Sequence, residues 1–352
     1  MIGIALLGAG RMANVHAEAM KGTDARIMTV NDLDDASAEK LAALTGATAC
    51  RTAEEAIWHP EVDGVLVAAS HAAHVELTLK AVEAGKRVMC EKPLATNYAE
   101  AVRCVDALGE EADRVFLAFN RRFDPGHSEL QKRVANGDIG NVEQLTISCR
   151  DAFMSTKDYI ANSAGIFRDM MVHDFDMMRW ILREEPVTIF AQGSALIEPW
   201  VAEMGDIDTG NAMMRTASGK LVLITNSRRS SMGFDQRVEA VGSKGMLLSD
   251  NLPRTGLKQF GPGGSDAVYE TSDRLRAFFL ERYRDSYYLE VSAFIDCIRK
   301  GTDAPVNARD GLAATYIAEA ATRSYKTNQP VALRTDHKVE WEIEPPIPGK
   351  SI

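Results

Sequence analysis

The first 120 residues alternate apolar, strand-like runs with amphipathic stretches. Residues 2–7 are continuously apolar, and strand signatures return at 26–31, 64–69, 87–90 and 115–119. Between them, residues 14–21, 35–44, 72–84 and 97–112 repeat their apolar positions at helical spacing. Unbroken apolar strands are buried on both faces, and strands joined through single helices run parallel. The pattern predicts a doubly wound α/β domain over 1–120, with its ligand crevice at the carboxyl ends of the strands.

Past residue 120 the period changes. Residues 141–150, 187–195, 210–216, 220–226, 236–241 and 246–248 read as strands divided by turns such as Ser218-Gly219 and Ser243-Lys244-Gly245. Strands without helices between them predict an open, mostly antiparallel sheet in an α+β domain spanning 121–335. Helical patterns at 165–180, 273–300 and 309–328 supply its cover. One face is expected to pack on the 165–180 helix and the other to mediate subunit association. The glycine-rich stretch 255–269 reads as a loop or hairpin near the site. The proline-rich tail 336–352 is expected to be poorly ordered or to wrap a neighbour.

Composition narrows the class. A chain of 352 residues with 45% hydrophobic positions can fill two cores. A net charge of −10 without a basic block argues against nucleic acid and anionic membranes. The five cysteines are odd in number and share no short spacing, which suggests reduced thiols in a cytoplasmic protein and no zinc cage. The apolar start lacks a basic leader and runs into a glycine turn, so it reads as a strand, and no run is long enough to span a bilayer.

Candidate chemistry collects where strands end. Gly8-Ala9-Gly10-Arg11-Met12-Ala13 is a G-x-G-x-x-A between strand and helix, the setting that lays a dinucleotide pyrophosphate on a helix N-terminus. Asp32, 22 residues beyond Gly10, can accept the ribose hydroxyls of NAD and repel the phosphate of NADP; otherwise Asp32 or Asp34 caps the next helix. Ser70, His71 and His74 follow the strand at 64–69. A metal pair of the two histidines is conceivable; capping, or packing beside the cofactor, is the plainer role. Glu91-Lys92-Pro93 follows the strand at 87–90, where Lys92 either ends the strand in solvent or holds a hydroxyl oxygen. In the stretch 165–180, Asp169 and His173 are four apart. On one helix they are neighbours, and the carboxylate could accept the ring N–H and free the other nitrogen for a proton. A surface pair or two metal ligands are the other readings of that spacing.

Glu91-Lys92-Pro93, the N-terminal glycine motif and Asp169-x-x-x-His173 together resemble the glucose-fructose oxidoreductase and inositol dehydrogenase family. The stretch from Ser163 to Asp176 and Phe278-Phe279-Leu280-Glu281-Arg282-Tyr283 look like its myo-inositol 2-dehydrogenase branch. The resemblance implies NAD-dependent oxidation of a ring hydroxyl of a cyclic polyol, myo-inositol to 2-keto-myo-inositol, in a tetrameric protein. It implies Lys92 on the reacting hydroxyl, Asp169 in support and His173 as general base. An ionised Asp169 would raise the imidazole pKa and a nearby Lys92 would lower it, so the Asp169–His173 pair is expected to titrate near neutrality. The resemblance places Arg121 and Asp151 near substrate, and Gly8, Gly10, Arg11, Met12, Asp32, Ser70, His74, Glu91 and Lys92 around NAD; Arg122 reads as an interdomain salt bridge. Two departures stand out: Ala164 replaces a glycine usual in that branch, and no proline follows Asp151. A dehydrogenase of another sugar, polyol or dihydrodiol, or a non-catalytic dinucleotide-binding regulator, are the competing functions.

Overall fold

The computed structural model describes residues 1–255, 258–261, 269–272, 275–276 and 278–339. The first half folds as β1 (Ile2–Leu7), α1 (Arg11–Met20), β2 (Ala25–Asn31), α2 (Asp35–Thr45), β3 (Thr48–Ala49), α3 (Ala53–Ile57), β4 (Gly64–Val67), α4 (His74–Glu83), β5 (Arg87–Glu91), α5 (Tyr98–Leu108) and β6 (Phe116–Ala118). Its six strands pair in parallel in the order β3-β2-β1-β4-β5-β6. β4 and β6 are buried at every position, as strands covered on both faces must be. The order reverses between β1 and β4, so the crevice opens beside their carboxyl ends, where Gly8 and Ser70 follow.

The second half continues with α6 (Pro125–Ala135), β7 (Val142–Arg150), α7 (Lys157–Asn162), α8 (Ile166–Asp169), α9 (Val172–Leu182), β8 (Pro186–Ser194), α10 (Pro199–Glu203), β9 (Thr209–Thr216), β10 (Leu221–Ser227), β11 (Asp235–Gly242), β12 (Gly245–Ser249), β13 (Lys258–Gly261), β14 (Tyr269–Ser272), α11 (Phe279–Arg282), α12 (Arg284–Lys300), α13 (Ala308–Thr327) and β15 (Val331–Ala332). Seven strands form one sheet in the order β12-β11-β7-β10-β9-β8-β15, antiparallel except for β7 with β10. β9 alternates buried and exposed residues, and its buried side meets α9 and the alanine-rich α13 in the second core. β13 and β14 pair as a separate antiparallel ribbon.

Three expectations change. The helix at 165–180 is two helices, α8 and α9, broken at Met170-Met171. The pattern at 273–300 becomes α11 and then α12, with Leu275 bridged to Pro253 in extended backbone. The boundary near 120 does not separate the cores: Val291, Phe294 and Ile295 of α12 join the first cluster, and Phe294 and Ile298 close over Gly64 so tightly that a Cβ there would clash. A helix late in the chain thus completes the cover of the first sheet. The tail beyond 339 and residues 262–268 lie outside the described residues.

Candidate active site

The glycine turn after β1 is built for close approach. Gly8 has φ +104°, and a Cβ on it would sit 2.4 Å from the Ala68 carbonyl oxygen. A Cβ on Gly10 would meet nothing within 4 Å, and no side chain among the described residues caps α1. Open space in front of an uncapped helix N-terminus suits an anion such as a pyrophosphate. Arg11 is exposed at this turn, and Met12 packs between the two cores. The Asp32 carboxylate accepts the Ala9 N–H at 2.6 Å and the Asp34 N–H at 2.9 Å, which holds an acid beside the turn at the end of β2. Asp34 stands at the N-cap position of α2 and accepts from Ser37 Oγ. A dinucleotide therefore fits the residues present, with Gly8, Gly10 and the first turn of α1 toward phosphate and Asp32 toward ribose.

Two residues assigned to the cofactor face elsewhere. His74 is wholly buried, with Nδ1 2.8 Å from the Pro93 carbonyl oxygen and Nε2 3.2 Å from that of Ala69. It ties the loop after β4 to the loop after β5. Glu91 is also buried; Oε1 contacts His16 Nε2 at 2.6 Å and Oε2 accepts the Lys92 N–H at 3.1 Å. Its carboxylate braces α1 against the strand that presents Lys92. Ser70 is exposed just past β4, and His71 is half-buried; burial, then the Lys92 ammonium and His74, push the His71 imidazole down to about 4.

Lys92 reaches across to the second half. Nζ donates to the Asp169 carbonyl oxygen at 3.1 Å and lies 3.5 Å from Asp169 Oδ1. In an unbroken helix that carbonyl would accept the N–H of His173. The break at Met170-Met171 gives it to the lysine instead. The Asp169 carboxylate turns the same way: Oδ1 accepts from Tyr159 Oη at 2.9 Å, and Oδ2 from Arg228 Nη1 at 3.1 Å. Burial would raise this carboxyl, but Lys92, Arg228 and the tyrosine hydroxyl outweigh it and hold it below the usual range.

The expected bond from Asp169 to the His173 ring is therefore absent. His173 opens α9 with its ring edge-on to Phe119, 5.8 Å between centroids, and with Nδ1 buried and unpartnered. Burial, then the charges of Arg121 and Lys92, push its imidazole well below the ordinary value, so it is neutral and does not titrate near neutrality. Asp151 follows β7 into the same corner. Burial, then the Asp169 charge, raise its carboxyl to about 6 against Arg228, Arg121 and Lys92.

Arg121 is buried, directed at Asp174 Oδ1 and, at 3.2 Å, Cys149 Sγ; Asn226 donates to the other oxygen of Asp174. The guanidinium expected near substrate is thus committed to an internal ion pair. Arg122 makes two bonds to Asp176 and lies 3.2 Å from Asp310. Sequence reasoning missed Tyr159 and Arg228. Arg228 is 1% exposed, yet in sequence it is one of two arginines after a strand. Only the fold carries it 59 positions back to Asp169.

A parallel sheet with an open glycine turn, facing a cationic, carboxylate-lined corner from a second sheet, is the build of a nicotinamide-dependent oxidoreductase. Residues 2–119 match the oxidoreductase family with an NAD-binding Rossmann fold, and residues 127–248 match the GFO/IDH/MocA C-terminal domain. The chain belongs to the GFO/IDH/MocA family and is an NAD-dependent oxidoreductase. It is 39% identical to the myo-inositol 2-dehydrogenase of Thermotoga maritima, over 94% of this chain and 98% of that one. It is 38% identical to the inositol 2-dehydrogenase of Rhizobium meliloti, over 93% and 98%. The crystal structure of a myo-inositol dehydrogenase from Corynebacterium glutamicum superposes with a TM-score of 0.90 at 38% identity, covering 95% of this chain and 99% of that one.

Proposed function

We propose that this protein oxidises a ring hydroxyl of a cyclic polyol, converting myo-inositol to 2-keto-myo-inositol. The observation that carries the reading is the meeting of Lys92, from the end of β5, with Asp169 and its partners from the second half. Removing a hydride from a carbinol carbon needs its oxygen to lose a proton in the same event. When bound, the nicotinamide supplies the hydride acceptor. The Lys92 ammonium, aimed by its contacts with Asp169, stabilises negative charge building on the substrate oxygen. The neutral His173 imidazole receives the proton. Asp151 offers a carboxyl to a neighbouring hydroxyl. Asp32 supports NAD over NADP, because a 2′-phosphate would meet its charge.

The test is a panel of cyclic and acyclic polyols, aldoses and dihydrodiols with NAD, followed at the nicotinamide absorbance. Myo-inositol is expected to give the highest kcat/KM, and turnover of aldoses alone would replace the substrate assignment. His173→Ala and Lys92→Ala should each lose at least about two orders of magnitude in turnover while binding NADH.

The same reading includes assembly as a tetramer in the cytoplasm. On the open face of the seven-stranded sheet, Leu248, Glu239, Thr146, Leu223, Met213 and Phe190 are successive cross-strand partners, with Leu248, Leu223 and Met213 exposed. A row of this apolarity suits a second copy of the chain. Sedimentation showing only a 38.5 kDa species would contradict it. All five cysteines are free, which suits a reducing compartment, and among the described residues no helix is long and apolar enough to cross a membrane.

A further inference from the structure

Arg11 opens α1 directly after Gly10, exposed, and its guanidinium carbon lies 5.7 Å above the Phe279 ring. No carboxylate among the described residues pairs with it. An arginine at an anion-binding turn, held by an aromatic face and not by an acid, keeps its full charge available. Phe279 comes from the other half of the chain and is itself anchored. Arg282, at the end of the same short helix, is buried against Asp124, which caps α6 and accepts the Gly126 and His127 N–H groups at 3.0 Å. From the other side Phe278 packs on Phe279 with centroids 4.4 Å apart. Phe153 stacks on Phe278 at 5.2 Å and 13° between planes. The ladder runs from the glycine turn to the loop that begins at Asp151.

We propose that Phe279 is a positioning residue for NAD: it holds the Arg11 guanidinium over the glycine turn, so that the second half of the chain contributes to pyrophosphate binding without touching it. The mechanism is preorganisation. A long, exposed arginine otherwise loses rotamer freedom when it meets the phosphates, and the ring removes part of that cost beforehand. It draws on NAD binding at the turn and is independent of which polyol is oxidised.

The test is a double-mutant cycle read by NADH fluorescence titration in the absence of substrate. Phe279→Leu should raise the NADH Kd about three- to fivefold, the worth of a partly exposed cation–π contact. Arg11→Met should raise it about tenfold. In the Arg11→Met background, Phe279→Leu should add almost nothing, because the ring then has no cation to hold. Phe279→Trp, which keeps an aromatic face, should stay within about twofold of the parent. Thermal melts confirm that each variant is folded. A threefold loss from Phe279→Leu that persists in the Arg11→Met background would overturn the proposal, since the ring would then act through packing alone. So would a Phe279→Leu variant that binds NADH as the parent does.

Discussion

Asp151→Asn isolates an electrostatic cost built into the substrate corner. The carboxyl of Asp151 titrates near 6 when folded, against an ordinary 3.8, because burial and then Asp169 oppose its charge more than Arg228, Arg121 and Lys92 favour it. Below about pH 4 the group is protonated folded and unfolded, and contributes nothing. Between about 4 and 6 the folded chain keeps a proton that the unfolded chain releases, so stability falls as pH rises. Above 6 the whole cost is present, about 2 to 3 kcal/mol at 1.4 kcal/mol per tenfold. An amide of the same shape removes it. At roughly 2.1 cal/mol/K of unfolding entropy per residue, a 352-residue chain shifts its melting temperature by about 1.4 °C per kcal/mol. Asp151→Asn should therefore melt about 3 to 4 °C above the parent at pH 8 and level with it near pH 3. The assay is a series of cofactor-free melts across that range. A gap that stays constant with pH, or that favours the parent at pH 8, would refute the reasoning.

Arg122→Met strands the buried Asp176 carboxylate and one partner of Asp310, so a loss of about 3 to 5 kcal/mol is expected, seen as a fall of roughly 4 to 7 °C in Tm. Tyr159→Phe removes one donor from Asp169 and nothing else; kcat should drop about tenfold with the NADH Kd unchanged, and an equal loss in NADH binding would count against a role at Lys92. Ala164 sits at φ 62°, so Ala164→Gly should stabilise by about 1 kcal/mol, measured by denaturant midpoint; a lower midpoint would mean the backbone there is not strained.

The cofactor end was legible because its information is contiguous. Strand, Gly8, Gly10, helix and Asp32 follow one another within one βαβ unit, and local order alone brings them together. Ala164 was visible as a departure, and its left-handed backbone shows why glycine is the easier residue there. The Asp169–His173 bond was misread for the converse reason. A spacing of four describes neighbours only while the helix continues, and periodicity cannot see that the Asp169 carbonyl will leave the helix for Lys92. Glu91 and His74 looked like cofactor ligands because they flank the crevice in sequence, but their side chains turn inward to His16 and to two carbonyls.

The succession of strands and helices along the chain, the glycine turn, and a lysine at the end of one strand were determined by the chain alone, because propensity and short-range pattern suffice for them. Which groups share a proton or a charge was decided by the fold. Tyr159, Arg228 and Lys92 stand 10, 59 and 77 positions from Asp169 and reach it only when two sheets are packed and the helix between them breaks. Electrostatic coupling depends on distance and burial, and neither is a property of residue order.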